Sequence, residues 1–335
     1  MPAGLVVRSS GVRASVVSAS VRQVAGADGE QANGQASAAP LDAAAARRVL
    51  VDACGLAGLD PAGAALMRLG EHAVFRLGAA PVVVRIGRAV AYLDATRREL
   101  AVADWLMAGD VPVVQAARVA TAQPLVVDGR VVTFWVAAGS GDDYGSVLDL
   151  AAILRKLHQL PAPEGLELPE LDPFARTDAR IRASSGVSPE DRSFLVGLVA
   201  DLRERYAALS FALPTGPIHG DANVGNVLRD ESGRAVLIDL DGFAHGPREW
   251  DLLLTAMYTD SYGWHTAEEY QSFVDCYGFD VMAWDGYAVL RDVRETMMVI
   301  WVGQNVGAEP RAAAEFTKRI AALRSGASRR DWAPL

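Results

Sequence analysis

Residues 218–226 read Ile-His-Gly-Asp-Ala-Asn-Val-Gly-Asn, and residues 236–239 read Val-Leu-Ile-Asp. The stretch contains a carboxylate at Asp221, an amide at Asn226 and a second carboxylate at Asp239, which ends an apolar segment. Phosphoryl transfer from a magnesium nucleotide requires this combination, because one carboxylate orients the attacking hydroxyl while the other oxygen ligands hold the metal. We therefore predict a phosphotransferase site, with Asp221 as the catalytic residue and with Asn226 and Asp239 as ligands of Mg²⁺ at the nucleotide phosphates.

The segment between Asn226 and Asp239 predicts a β-hairpin. Residues 235–238 form an apolar strand pattern, and residues 230–233 (Asp-Glu-Ser-Gly) are a turn sequence. A hairpin of this length brings Asn226 back near Asp239, so we expect both side chains to reach one ion. Just upstream, residues 215–217 (Thr-Gly-Pro) predict a turn. The alternative interpretation of the whole region is a solvated turn that carries ordinary surface acids.

The spacing at residues 219–226 resembles the Brenner-type motif of the aminoglycoside phosphotransferase and choline kinase family, in which His-Gly-Asp is followed after four residues by Asn. The resemblance spans residues 60–305. It implies an α+β, protein-kinase-like fold with two lobes. The expected small lobe, residues 41–136, has a five-stranded antiparallel sheet and one helix. The expected large lobe, residues 137–335, is mainly helical and carries the catalytic hairpin.

Other elements follow from apolar periodicity and turn residues. We predict helices over residues 41–57, 93–107 and 150–160, strands over residues 65–69, 73–77, 81–86, 111–114, 124–127 and 131–136, and an irregular connection over residues 161–190.

The resemblance also implies supporting roles for three residues near the motif. His219 is expected to bond to backbone or to pack near Asp239, and Asp241 is either a further metal neighbour or a loop carboxylate. Residues 246–251 (Gly-Pro-Arg-Glu-Trp-Asp) resemble the family's Gly-Asp-Pro-x-x-Asp segment. The last acid, here Asp251, is expected to brace the catalytic loop from the first turn of a helix, where the helix dipole favours an acid.

Nucleotide-binding residues of the small lobe are likewise implied by the resemblance. Arg85 stands where the family has a strand cation for the α- and β-phosphates, and Glu99 is expected to hold it from a helix. The guanidinium fork suits phosphate oxygens. Residues from Thr133 to Val136, including Trp135, are expected to form the hinge that contacts the base of ATP or GTP through backbone groups. The alternative for Arg85 and Glu99 is an exposed arginine and a helix-surface glutamate.

Acceptor binding is expected in the helices after the catalytic loop, where aromatic and acidic residues lie close together in sequence. Asp260 is the first choice for a substrate amine contact, with Trp264 and Glu268 as further candidates. Aromatic faces and carboxylates suit amino-bearing, cationic ligands. The alternative is a helical core with a solvated acidic face. Arg294, on a later helix, is expected to be structural rather than functional.

Composition limits the possible partners. The formal net charge of −9 argues against nucleic-acid binding and favours cationic ligands. Cys54 and Cys276 form no disulfide framework or metal spacing, which fits a reducing, cytoplasmic location. No apolar run approaches the length of a membrane span. Residues 1–40 are expected to be a disordered N-terminal extension, and the chain is expected to act as a monomer or homodimer.

These patterns predict a small-molecule kinase that transfers the γ-phosphate of ATP or GTP, with Mg²⁺, to a hydroxyl of an aminoglycoside-like antibiotic or a related amino-bearing metabolite. Transfer to an antibiotic would give resistance. One alternative is a metabolite kinase for a sugar or an amino alcohol. Another is a non-catalytic nucleotide-binding regulator, against which the intact Asp221, Asn226 and Asp239 argue. A metal hydrolase is disfavoured, because no further His ligands have metal spacing.

Overall fold

The computed structural model describes residues 41–70, 72–87 and 89–333. The extension expected over residues 1–40 lies outside them. The helices are α1 (Ala43–Ala57), α2 (Leu93–Ala108), α3 (Val147–Leu157), α4 (Thr177–Ala183), α5 (Pro189–Ala207), α6 (Glu249–Asp260), α7 (Ala267–Tyr277), α8 (Tyr287–Gly303) and α9 (Pro310–Ser325). The strands are β1 (Ala65–Leu69), β2 (Ala73–Arg76), β3 (Val82–Ile86), β4 (Leu125–Val127), β5 (Arg130–Val136), β6 (Thr215–Ile218), β7 (Val227–Arg229), β8 (Ala235–Leu237) and β9 (Ala244–Pro247).

The small lobe is built on an antiparallel sheet with strand order β1-β2-β3-β5-β4, which confirms the predicted five-stranded sheet. In β3, buried Val82, Val84 and Ile86 alternate with half-buried Val83 and Arg85. Because side chains alternate between the two faces of a strand, the aliphatic side chains face α1 and Arg85 lies on the opposite face. The sheet therefore shields its own core while it presents a cation on its other side.

Helices α1 and α2 both lie in residues 41–136 and confirm the helices predicted over residues 41–57 and 93–107, although the small lobe was expected to have one helix. The buried side chains of α1 join the core of the sheet. The buried side chains Val102, Ala103 and Leu106 of α2 instead join the core of the large lobe. As a result, α2 bridges the two lobes and carries Glu99 between them.

The large lobe packs around two buried helices, α6 and α8. Every residue from Glu249 to Tyr258 is buried, as is every residue from Val293 to Ile300. Two short ribbons lie on this core, since β6 pairs with β9 and β7 pairs with β8. Opposed pairs such as Ile218 with Ala244 and Val227 with Leu237 set the register on both sides of the motif. The loop that carries the motif is therefore anchored at both ends.

Three of the predicted elements were wrong. Residues 215–217 form strand β6 rather than a turn; Pro217 is tolerated because a two-stranded ribbon has free edges. Residues 111–114 add no strand to the sheet. Instead the Pro112 carbonyl and the Val114 amide pair with Leu237, which ties the chain to the catalytic hairpin. The connection at residues 161–190 contains α4 and the start of α5, which Ser188 caps before Pro189.

Within the part of the chain that the structure describes, none of the helices combines the length and the apolarity needed to cross a bilayer. Cys54 is buried in α1 and Cys276 is half-buried in α7, and both are free thiols.

Candidate active site

Asp221 is fixed by the amide side chains of its own loop. Its exposed fraction is 1%. The Oδ2 atom accepts hydrogen bonds from Asn226 Nδ2 at 3.2 Å and from Asn223 Nδ2 at 3.3 Å. Asn226 Nδ2 also donates to the Asp221 carbonyl at 2.9 Å. Because both donations come from the amide nitrogen, the amide oxygen of Asn226 remains as the group that can bind a cation.

The loop can pass close to Gly242 because residue 220 is glycine. Gly220 has φ of +83°, and a Cβ added there would lie 2.2 Å from the Gly242 carbonyl oxygen. A side chain is therefore excluded both by the left-handed backbone and by this contact. His219 next to it donates from Nε2 to the Ile238 carbonyl at 3.0 Å, and its Nδ1 accepts the Asp221 amide at 3.3 Å. The imidazole thus joins the catalytic loop to the residue before Asp239.

Asp251 lies under the loop, in the first turn of α6. Its carboxylate accepts the amide of His219 at 2.7 Å and the amide of Gly220 at 2.9 Å. His158, directly after α3, hydrogen-bonds to the same carboxylate at 3.0 Å and to the Tyr277 hydroxyl at 2.8 Å. Burial raises the pKa of Asp251, but the hydrogen bonds from His158 and from the His219 backbone outweigh it and lower the pKa below its ordinary value. The bracing carboxylate is therefore ionised.

A cavity of about 270 Å³ lies between the lobes, next to the motif. Its walls come from the β1–β2 hairpin, from β3, from α2, from the segment after β5 and from the catalytic hairpin. The polar and aromatic residues on its walls include Arg68, His72, Arg76, Arg85, Glu99, Trp135, Tyr144, Asn226, Asp239 and Asp241. Five of the residues that were predicted to bind the nucleotide or the metal therefore line one cavity, and Asp241 lines it too.

Asp239 follows β8 and lines the cavity with a left-handed backbone, φ +63°. Burial raises its pKa to about 6; Arg85 opposes this shift, whereas Asp221 and Glu99 add to it. Among the described residues no group of three or more His, Cys, Asp or Glu side chains forms a metal site of its own. One carboxylate and one amide oxygen fit Mg²⁺, because this ion takes most of its ligands from water and phosphates.

Arg85 and Glu99 form an ion pair in which the guanidinium nitrogen Nη2 donates to Oε2. Glu99 is buried, and Arg85 retains a 16% exposed side chain at the cavity. Burial raises the pKa of Glu99, although the positive charge of Arg85 opposes it. The Arg85 guanidinium also lies 6.0 Å from the ring centre of Trp135. The cation is thereby held in one place on the wall of the cavity.

The hinge differs in detail from the expectation. Thr133 is buried, and its hydroxyl accepts a hydrogen bond from the indole nitrogen of Trp135 at 2.8 Å. Thr133 is not among the cavity-lining residues, whereas Trp135, Val136 and Ala138 are. Thr133 and Trp135 are two positions apart and lie on the same face of β5, so Thr133 supports the hinge by holding the Trp135 ring through this hydrogen bond.

The three residues predicted to contact the acceptor make contacts within the large lobe. The Asp260 carboxylate accepts from the Tyr287 hydroxyl at 3.3 Å and from Arg291 at 3.4 Å. Trp264 packs its ring 4.9 Å from that of Tyr258, and Glu268 is exposed in the first turn of α7. The structure does not bring these three side chains to Asp221.

Arg294 of α8 was expected to be structural, but it contacts Asp221 directly. Its Nη2 donates to Asp221 Oδ1 in a buried ion pair. Burial raises the pKa of Asp221, and the charge of Arg294 opposes that rise. Sequence reasoning missed this contact because the two residues are 73 positions apart and no local pattern connects them.

Comparisons with known proteins agree with this geometry. The family model described as the phosphotransferase enzyme family matches residues 68–292. No curated protein matches the chain. A spectinomycin phosphotransferase structure is similar with a TM-score of 0.61 and 15% identity, covering 83% of this chain and 93% of its own. A microcompartment-associated aminopropanol kinase has a TM-score of 0.64 and 19% identity, with coverage of 84% and 95%.

Choline kinase from Streptococcus pneumoniae has a TM-score of 0.58 and 16% identity, covering 82% of this chain and 98% of its own. At such identities the structural likeness shows the fold, which is that of phosphotransferases and kinases of small molecules.

Proposed function

Because the chain belongs to the phosphotransferase enzyme family, we propose that it transfers the γ-phosphate of ATP or GTP to a hydroxyl of a small molecule. The observation that carries this proposal is the position of Asp221. Its carboxylate is hydrogen-bonded to Asn226, which lines the inter-lobe cavity together with Asp239 and Arg85. A base for the acceptor, ligands for a cation and a cation for phosphates therefore adjoin one cavity.

The reaction that fits this arrangement is a direct displacement at phosphorus. Asp221 orients the acceptor hydroxyl and takes its proton while the acceptor oxygen forms a bond to the γ-phosphorus. The bond from that phosphorus to the bridging oxygen breaks, and its electron pair leaves with the nucleoside diphosphate. Arg85, held by Glu99, steadies the remaining phosphates. Asn226 and Asp239 would hold Mg²⁺, which neutralises charge on the phosphate oxygens when bound.

For the acceptor we propose an amino-bearing hydroxyl compound, either an aminoglycoside-like antibiotic, which would give resistance, or a metabolite such as an amino alcohol. The names of the structural relatives support this class, because spectinomycin, aminopropanol and choline each carry an amino or ammonium group. The net charge of −9 also favours the approach of cations.

The test is nucleoside diphosphate release by the full chain with magnesium ATP or magnesium GTP across a panel of aminoglycosides, amino alcohols and sugars. Saturable release that depends on one acceptor, with a phosphorylated product of matching mass, is the expected result. Nucleotide binding without transfer to any acceptor, or to water, would instead support the non-catalytic regulator.

A further inference from the structure

The two oxygens of the Asp221 carboxylate have different neighbours. Oδ2 accepts from the side-chain amides of Asn223 and Asn226, whereas Oδ1 accepts from Arg294 Nη2. Arg294 is 5% exposed, and its guanidinium lies 5.4 Å from the ring centre of Trp250. Arg294 and Asp221 are both absent from the walls of the nucleotide cavity. Because Arg294 contacts Asp221, the proposed base for the acceptor hydroxyl, and lies outside those walls, we place its guanidinium on the acceptor side of Asp221.

Along the Nε–Nη2 edge of this guanidinium, only Nη2 has a hydrogen-bond partner. Nε is buried and has no hydrogen-bond partner among the described residues, and it shares an edge with Nη2. The two N–H groups of such an edge form a fork that matches the two oxygens of a carboxylate or of a phosphate group. In the free protein, a single oxygen of Asp221 occupies one side of the fork. A buried donor left without a partner costs free energy, which a ligand in this position would recover.

The nearby acids do not satisfy Arg294. Glu295, its neighbour on α8, pairs with Arg329, and Asp260 lies beside Arg291. Within the described residues Asp221 is the sole carboxylate paired with Arg294. A buried, half-paired cation attracts an anion and repels an ammonium group placed at the same point.

We propose that Arg294 binds an anionic group of the acceptor, a carboxylate or a phosphate monoester, next to the hydroxyl that is phosphorylated. This inference rests on the proposed function and narrows its acceptor class, since an amine elsewhere in the acceptor remains compatible. When the anionic group fills the Nε–Nη2 edge, Asp221 Oδ1 is released from Arg294 and accepts the hydroxyl. An acceptor without the anion leaves Asp221 paired with Arg294.

Matched acceptor pairs that differ by one anionic group provide the test. Serine is compared with ethanolamine, homoserine with 3-amino-1-propanol, and glycerol 3-phosphate with glycerol, in magnesium ATP and magnesium GTP. The first two pairs test a carboxylate and the third tests a phosphate. We expect kcat/KM for diphosphate release to favour the anionic member of at least one pair by about tenfold or more.

In Arg294→Met the ratio of kcat/KM between the anionic and the neutral member should fall to about one, even if both rates fall, because the variant no longer binds the anionic group. Arg294→Lys, which keeps the charge but loses the fork, should retain part of the preference. Arg324→Met is the matched control, since Arg324 also pairs with acids and lies over a ring, that of Phe194, away from the site. That control should keep the wild-type preference.

The inference is wrong if the neutral or cationic members are preferred, if no anionic member stimulates release, or if Arg294→Met keeps the wild-type ratio. A merely structural Arg294 would lower both members of a pair equally. Failure of the proposed function has a different signature, namely no transfer to any acceptor in the broader panel.

Discussion

At the scale of single residues, Asp239 is placed to decide how the nucleotide is bound. It lies two residues after β8, lines the cavity and has a pKa raised to about 6 by burial, with Arg85 opposing that rise. A cation at this point would favour the ionised carboxylate. We therefore expect this residue to link metal binding to nucleotide binding.

We expect Asp239→Asn to weaken nucleotide binding in the presence of Mg²⁺ by about tenfold or more, because a neutral amide is a poorer ligand for a hard cation. Binding without Mg²⁺ should change far less. Titration calorimetry with and without Mg²⁺ measures both values. Asp104→Asn, which alters an exposed acid on α2, is the control. An unchanged magnesium dependence in Asp239→Asn would remove this residue from the site.

The pair of Arg85 and Glu99 yields a second prediction. Glu99→Ala leaves the Arg85 guanidinium without its buried partner, so the free energy of unfolding should fall by about 3 kcal/mol. The double variant Arg85→Met with Glu99→Met should recover most of the stability but none of the nucleotide affinity. Urea unfolding and nucleotide titration separate these effects. If the double variant binds nucleotide normally, Arg85 does not contact phosphates.

The residues around Asp221 also differ in how far their contacts could be predicted from the sequence. Asp221, Asn226 and Asp239 could be proposed from the sequence because their chemistry and spacing are local. Arg294 was not, because its contact with Asp221 depends on how α8 packs against the loop. The pairing of Asp260 with Arg291 could not be predicted for a similar reason, since Arg291 lies 31 residues away; a role of Asp260 in acceptor binding stays a prediction.

At the scale of elements, the catalytic loop depends on the first turn of α6. Asp251 of that helix accepts two loop amides and the His158 imidazole. The pKa of Asp251 is lowered in the folded protein, so its contribution to stability is fully present above the ordinary value of 3.8. The contribution is lost as the pH falls through the lower pKa of the folded state.

We therefore expect the free energy of unfolding of the wild type to fall more steeply than that of Asp251→Asn in the acidic window below the ordinary carboxyl pKa of 3.8. Above this window the wild type should be the more stable protein. Urea unfolding monitored by tryptophan fluorescence across the range measures the difference. Parallel pH profiles for the two proteins would show that the carboxylate is not ionised in the native loop.

Elements with strong local signals were predictable, and those fixed by pairing were not. The hairpin β7–β8 followed from its turn sequence at residues 230–233, and α2 followed from its apolar periodicity. Strand β6 was taken for a turn because Gly216 and Pro217 are turn formers, yet pairing with β9 overrides that preference. The helices after the catalytic loop have aromatic residues, and the sequence alone does not show which of them belong to the core and which to a binding surface.

At the scale of the whole molecule, the inter-lobe cavity exists because two lobes contribute opposite walls. The sheet supplies Arg85, the catalytic hairpin supplies Asn226 and Asp239, and α2 lies between them with Glu99. The chain at Val114 is also tied to Leu237 of the catalytic hairpin. The two-lobed fold could be inferred from the motif, whereas the identity of the acceptor depends on side chains brought together only by folding.

The most direct test of the central claim is phosphoryl transfer by wild type and Asp221→Asn, measured as product formation beside magnesium-nucleotide binding. The acceptor is the one that the panel identifies, with water as the reference. We expect Asp221→Asn to lower the transfer rate by about 10³-fold while nucleotide affinity stays within about threefold. Transfer that continues at the wild-type rate in Asp221→Asn would contradict the assignment of this site.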